Sequence, residues 1–168
     1  MESSGSLQLL LVGNDLARTL VMLGEGIAAE HGNGKPPEFC VQVQGTTREL
    51  APLVRDDIYR IASEALRNAF RHAYAARIEV EIRYEPGQLR LVVRDDGKGI
   101  DPKVLGEGGR AGHFGLPGMH ERAKLVGGKL AVWSELDSGT ETELTIPASI
   151  AYAKSQAARR PMFWKKGA

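Results

Sequence analysis

The sequence of 168 residues contains a single cysteine, Cys40. That excludes an internal disulfide framework, since a bridge needs two thiols. The thiol sits in the apolar run Phe39 to Val43, where it reads as a buried strand residue in a chain suited to a reducing cytoplasm. Charge of one sign is also lacking. A net charge of +1 gives no global attraction to nucleic acid or to an anionic membrane. No long hydrophobic run is present, because Leu7 to Val12 is too short to span a bilayer and is followed by Asn14, Asp15 and Arg18. No internal repeat is visible. What remains, with 42% hydrophobic residues, is enough for one domain with its own core.

Hydrophobic spacing and turn chemistry divide the chain. Leu9, Leu16, Leu20, Leu23 and Ile27 follow alternating four- and three-residue steps once Gly13 is counted as a weak position, which fits either the end of a dimerisation helix or an amphipathic helix packed on its own domain. Gly32-Asn33-Gly34-Lys35-Pro36-Pro37 ends that helix, and Phe39 to Gln44 begins a sheet. Ile58, Ile61, Ala62, Ala65, Leu66, Ala69 and Ala73 predict a second helix, with Asp56 or Asp57 as a good start and Arg60, Arg67 and Arg71 on its outer face. Alternation in Ile78, Val80, Ile82, Tyr84 and then Leu89, Leu91, Val93 predicts a hairpin turning at Glu85-Pro86-Gly87. A glycine-rich run leads to a helix over Pro117 to Val126. A second hairpin, Lys129 to Glu135 with Thr140 to Ile146, turns at Asp137-Ser138-Gly139 and closes at Pro147. The expected boundaries are a helical stub at 1–34, a domain at 35–148 and a basic tail at 149–168.

Three separated pieces carry the chemistry of a nucleotide site. Glu64, Asn68 and His72 lie at i, i+4 and i+8, one polar row along the edge of the apolar stripe. A carboxamide oxygen there suits Mg²⁺, and a carboxylate can orient water or accept a proton; a solvated helix edge carries the same residues. Asp95 falls where a strand ends, placed to accept from an exocyclic amine. Gly97 and Gly99 let backbone pass close to a flat ligand, although Asp95-Asp96-Gly97 is also an ordinary turn signal. Gly106, Gly108, Gly109, Gly112, Gly115 and Gly118 form a loop whose amides, with the following helix start, make a phosphate cradle. A loop this rich in glycine inside a compact domain is more often functional than a plain mobile connection.

The order and spacing of these pieces, from about Phe39 to Pro147, resemble the ATP-binding catalytic domain of bacterial sensor histidine kinases. That superfamily is shared with gyrase, a heat-shock chaperone and mismatch-repair ATPases. The detail is similar to the subfamily whose response regulators carry helix-turn-helix output domains. The resemblance implies a two-layer α/β sandwich of the Bergerat type, one mixed and mostly antiparallel sheet with helices on one face. It assigns Asn68 to the magnesium ion and Glu64 to the water or general-base position, making these two the catalytic residues. His72 falls on the phosphate side, and Asp95 on the adenine amino group between Gly97 and Gly99. Gly112, His113, Gly115, Leu116 and Gly118 fall to the lid, and Thr140 to the adenine contact. The lid reads Gly-His-Phe-Gly-Leu where many histidine kinases have Gly-x-Gly, and no separate phenylalanine box is evident; both features fit the subfamily.

The implied activity is transfer of the γ-phosphate of Mg²⁺-ATP to a histidine. His31, His72, His113 and His120 all lack the setting of a phosphoacceptor, so that histidine is expected on a dimerisation domain outside these residues. A response regulator receiver domain is the second implied partner. No nucleic acid partner and no membrane span in this chain are expected. The location implied is cytoplasmic, with a monomer for this chain alone and a dimer for a full-length kinase. A serine kinase of the anti-sigma-factor type and a non-catalytic nucleotide-binding interaction module are the alternatives. The tail holds Lys154, Arg159, Arg160, Lys165 and Lys166 with Phe163 and Trp164, a composition that fits a mobile solvated end or contact with an anionic surface.

Overall fold

The computed structural model describes residues 15–30, 32, 34–106 and 115–154. In chain order the elements are α1 (Asp15–Ala29), β1 (Glu38–Gly45), α2 (Pro52–His72), β2 (Arg77–Tyr84), β3 (Gln88–Asp95), α3 (Pro102–Gly106), α4 (Leu116–Leu125), β4 (Lys129–Glu135), β5 (Gly139–Pro147) and α5 (Ala148–Ala151). The strands form one sheet in the order β1-β2-β3-β5-β4. Only the β1–β2 pair is parallel, and the other three are antiparallel. The architecture is the expected two-layer α/β sandwich.

The two faces of the sheet follow from alternation. Ile78, Val80, Ile82, Leu89, Leu91, Val93, Leu144 and Ile146 point to one face and are buried. There they meet Ile58, Ile61, Leu66 and Phe70 of α2, also buried. Burial of each such side chain contributes roughly 1.5–3 kcal/mol, and the three- and four-residue spacing along α2 delivers them to a single contact. The opposite face carries crossed ion pairs. Arg94 donates to Glu81 at 2.9 Å and also to Glu141, Arg83 donates to Glu81, and Arg90 pairs with Glu143. Desolvation pushes the Glu81 carboxyl up, but the Arg94 and Arg83 guanidinium groups outweigh it and hold the group below its ordinary range.

Local chemistry corrects two expectations. α2 begins at Pro52 rather than at Asp56 or Asp57, because proline is preorganised for the first helical turn and lacks the amide that would go unpaired there. Asp57 is instead part of the helix body and forms an ion pair with Arg122 of α4 at 3.0 Å. Cys40 is half-buried rather than buried, because strand alternation turns it to the sheet face away from α2, opposite Glu79, while its neighbour Val41 turns inward and is buried. Burial and the neighbouring Glu79 carboxylate both push the Cys40 thiol pKa up, which favours the unreactive protonated form.

Both ends of the described chain pack on the sandwich. Leu16, Ala17 and Leu20 of α1 are buried, and Leu23 and Ile27 pack against the same core, so the heptad-like positions face α2 and β1. Beyond Pro147, Ala151 and Tyr152 are buried. Ala51 N–H donates to the Ala151 carbonyl at 2.9 Å, and Ala153 N–H donates to the Glu49 carbonyl at 2.8 Å. The Tyr152 hydroxyl donates to the Glu85 and Gln88 carbonyls at 2.8 and 3.0 Å, and Arg48 lies over its ring at 4.0 Å.

Leu20→Ala is expected to cost about 2–5 kcal/mol, because it opens a cavity between α1 and the core. Met22→Ala, at a position 66% exposed, is expected to stay within about 0.5 kcal/mol. Urea unfolding of both variants checks this, and equal midpoints would mean that α1 does not pack as described.

Candidate functional site

A cleft opens between the C-terminal half of α2 and the end of the β3–β5 pair. Its lining is Ala65, Asn68, Ala69, His72, Ala73, Asp95, Gly99, Ile100 and Thr140. The floor is apolar and low, because Ala65, Ala69 and Ala73 recur one turn apart and leave space above the helix. Asn68 and His72 stand beside that floor on the same helix. A flat heteroaromatic group fits over small apolar residues, with polar groups at the rim to fix its orientation.

Asp95 and Thr140 reach the cleft from adjacent strands, since they are paired across β3 and β5. The Asp95 carboxylate accepts from Gly97 N–H at 3.0 Å. Desolvation pushes the Asp95 pKa above the ordinary aspartate value; the Gly97 and Thr140 amides oppose this, and Asp96 adds to it. Asp96 has a different role. It accepts from the amides of Ala76 and Arg77 at 2.8 and 2.9 Å, tying the loop after β3 to the start of β2.

The loop can take this path only with glycine at position 97. A Cβ there would lie 2.1 Å from the Ala73 carbonyl oxygen, well inside contact distance. The close approach allows Lys98 N–H to donate to that same carbonyl at 2.7 Å, satisfying an acceptor at the end of α2. Gly115 meets a second such demand. Its φ is +66°, and a Cβ would stand 2.7 Å from Glu64 Oε1.

Of the residues singled out in the sequence, Asn68, His72, Asp95, Gly99 and Thr140 therefore converge on one cleft. Gly97 shapes its edge from behind Asp95. Glu64 lies one turn earlier on α2, half-buried against Gly115 where α4 begins. Leu116 is buried in the core, and Gly118 is exposed on α4. Gly112 and His113 lie outside the described residues. The small lining residues Ala65, Ala69 and Ala73 were visible in the sequence only as core positions of α2. Ser134 of β4 carried no signal at all, and its hydroxyl contacts Ile100, Gly139 and Thr140.

Residues 53–150 match the family of histidine kinase-, DNA gyrase B- and HSP90-like ATPases. The chain is 39% identical over 94 residues to the sensor histidine kinase LiaS of Bacillus subtilis, covering 56% of this chain and 25% of LiaS. It is 33% identical over 123 residues to the signal transduction histidine-protein kinase/phosphatase DegS of the same organism, covering 72% of this chain and 31% of DegS. The blue-light activated histidine kinase of Erythrobacter litoralis EL346 superposes with a TM-score of 0.61 at 29% identity, over 80% of this chain and 42% of that protein. The chain belongs to the histidine kinase-, gyrase B- and HSP90-like ATPase family and is an ATP-binding catalytic domain of the sensor histidine kinase type. It spans about a quarter to a third of the curated relatives LiaS and DegS, at 25% and 31% of their lengths.

The raised Asp95 pKa has a consequence for stability. A carboxyl raised in the folded state costs no stability while it is protonated in both states, and it destabilises the fold as pH rises through the folded-state value. Asp95→Asn, which keeps an oxygen toward Gly97, is therefore expected to unfold at higher urea than the parent at about pH 7. The gap is expected to close toward about pH 3, where aspartate is protonated in both states. Urea midpoints of the two chains at both pH values check this; a gap that stays constant with pH would contradict it.

Proposed function

We propose that Mg²⁺-ATP binds in the cleft between α2 and the β3–β5 end, and that its γ-phosphate passes to a histidine on a dimerisation domain outside these 168 residues. The observation that carries this reading is the convergence of Asn68, His72, Asp95 and Thr140 on one cleft with a low apolar floor. Asp95 accepts from the adenine amino group and so selects adenine over guanine, which presents a carbonyl at that position. The base lies over Ala65, Ala69 and Ala73, with Gly97 and Gly99 at its edge. His72 faces the phosphates. Gly112, His113, Gly115 and Gly118 belong to the lid that covers them, and Leu116, buried in the core, anchors the end of that lid.

The donor set fits a magnesium ion shared with substrate. Among the described residues no group of three His, Cys, Asp or Glu could hold a metal alone. Mg²⁺ in nucleotide sites keeps few protein ligands and takes the rest from phosphate and water, so Asn68 suffices as its protein ligand. The ion, when bound, offsets charge on the phosphate oxygens. Glu64, half-buried beside Gly115, serves as the acceptor for a proton from the attacking imidazole or orients water. Phosphoryl transfer asks mainly for alignment, so the chain's task is to hold the nucleotide in line with an imidazole supplied from outside.

A receiver domain of a response regulator is the onward acceptor, and the setting is the cytoplasm. The receiver assignment is supported by the likeness to LiaS, named a sensor histidine kinase, and to DegS, named a signal transduction histidine-protein kinase/phosphatase. No described helix is long and apolar enough to cross a membrane.

Calorimetric titration of Mg²⁺-ATP and Mg²⁺-GTP into the chain and its Asp95→Asn variant tests the binding half. ATP is expected to bind with GTP much weaker, and the variant is expected to lose about tenfold or more in ATP affinity, as befits a lost charged hydrogen bond. Labelled ATP with a separately produced histidine-containing dimerisation domain tests the transfer half. The label is expected in an acid-labile phosphohistidine, with slow ATP hydrolysis by the chain alone. An acid-stable phosphoserine, transfer to nothing, or vigorous hydrolysis without a partner would overturn it.

A further inference from the structure

Ser134, Thr140 and Asp95 form one row across three strands, since Thr140 pairs with Ser134 on one side and with Asp95 on the other. The Ser134 hydroxyl oxygen has three partners. It accepts from Ile100 N–H at 2.7 Å, donates to the Gly139 carbonyl at 3.0 Å, and lies 2.8 Å from the Thr140 hydroxyl oxygen.

A serine hydroxyl carries one proton and two lone pairs. The Gly139 carbonyl can only accept, so all three contacts are met together only when the single Ser134 proton goes there. One lone pair is taken by Ile100 N–H, and the other faces Thr140. The contact at 2.8 Å is then satisfied only if Thr140 donates its own proton to Ser134. This leaves Thr140 with lone pairs alone to offer the cleft that it lines with Asp95.

We infer that Ser134 is a positioning residue for base specificity, holding the Thr140 hydroxyl as an obligate acceptor so that the rim of the cleft presents acceptors at both Thr140 and Asp95. The inference rests on the proposed nucleotide reading of this cleft. A rim of acceptors welcomes a 6-amino purine, directly or through a water, and repels a 6-oxo purine, whose carbonyl needs a donor. Were Thr140 free to rotate its proton into the cleft, it would donate to that carbonyl and half of the discrimination would be lost. Ser134 thus sets the sign of a contact made by another residue. It does so without touching the base.

The test is a pair of titrations, Mg²⁺-ATP and Mg²⁺-ITP, on the 168-residue chain and its variants, reading the ratio of the two affinities. Ser134→Ala is expected to narrow the preference for ATP by about tenfold, the effect of one hydrogen bond changed from repulsive to attractive. Ser134→Thr, which keeps a hydroxyl, is expected to retain the parent ratio. Adding Thr140→Val to Ser134→Ala removes the freed donor and is expected to abolish the gain in ITP affinity. Ser134→Cys, close to serine in volume and a weak hydrogen-bonding group, carries the same expectation as the alanine variant and serves in its place if that chain does not fold. A merely structural role for Ser134 would lower both affinities together and leave the ratio unchanged, and that result overturns the inference while ATP binding by the parent stands. If the parent chain binds no ATP, the nucleotide reading itself fails and the inference with it.

Discussion

The contact between the Gly97–Lys98 backbone and the Ala73 carbonyl joins the last turn of a helix to the end of a strand, and the cleft exists because of it. The absent Cβ at Gly97 lets the chain reach Ala73, and the 2.7 Å bond from Lys98 N–H keeps it there. With that junction closed, Asp95 at the end of β3 faces Asn68 and His72 on α2 across the small residues Ala65, Ala69 and Ala73. Asp96 reinforces the junction by accepting from Ala76 and Arg77 at the start of β2. The end of β3 and the loop that follows it therefore supply both a structural clasp and the carboxylate that lines the cleft.

The core makes that placement rigid. α2 presents a buried stripe to the sheet, and its polar row runs along the margin of that stripe, so residues that pack and residues that face the cleft alternate on the same helix. The opposite sheet face carries arginine–glutamate pairs, while Val92 beneath them is fully buried. Charge on that face covers apolar surface with aliphatic stems while the charged heads remain paired, and all cleft chemistry is left to the helical side.

The local elements were legible in the sequence because their signals are local. Alternation around Glu85-Pro86-Gly87 and around Asp137-Ser138-Gly139 marked both hairpins, and β2–β3 and β4–β5 pair as antiparallel neighbours. The row Glu64, Asn68, His72 was visible for the same reason, being set by helical spacing alone. The start of α2 was misread because aspartate is a strong cap signal, while here Pro52 begins the helix and Asp57 holds Arg122. Cys40 was misread because a short apolar run does not say which face each residue takes: pairing with β2 sets Cys40 opposite Glu79 on the charged face and Val41 opposite Val80 in the core. Ser134 was invisible because its partners come from the loop at Ile100 and from β5, which sequence spacing does not bring together.

The central claim is that the adenine base of ATP lies in the cleft between α2 and the β3–β5 end. Amide chemical-shift mapping during a titration with Mg²⁺-ATP tests it most directly. The largest shifts are expected at Asn68, Gly97, Gly99 and Thr140, with the ion-paired face at Arg83, Arg90 and Glu143 left unchanged. Shifts concentrated on that paired face or around Trp133, with the cleft residues unmoved, would contradict it.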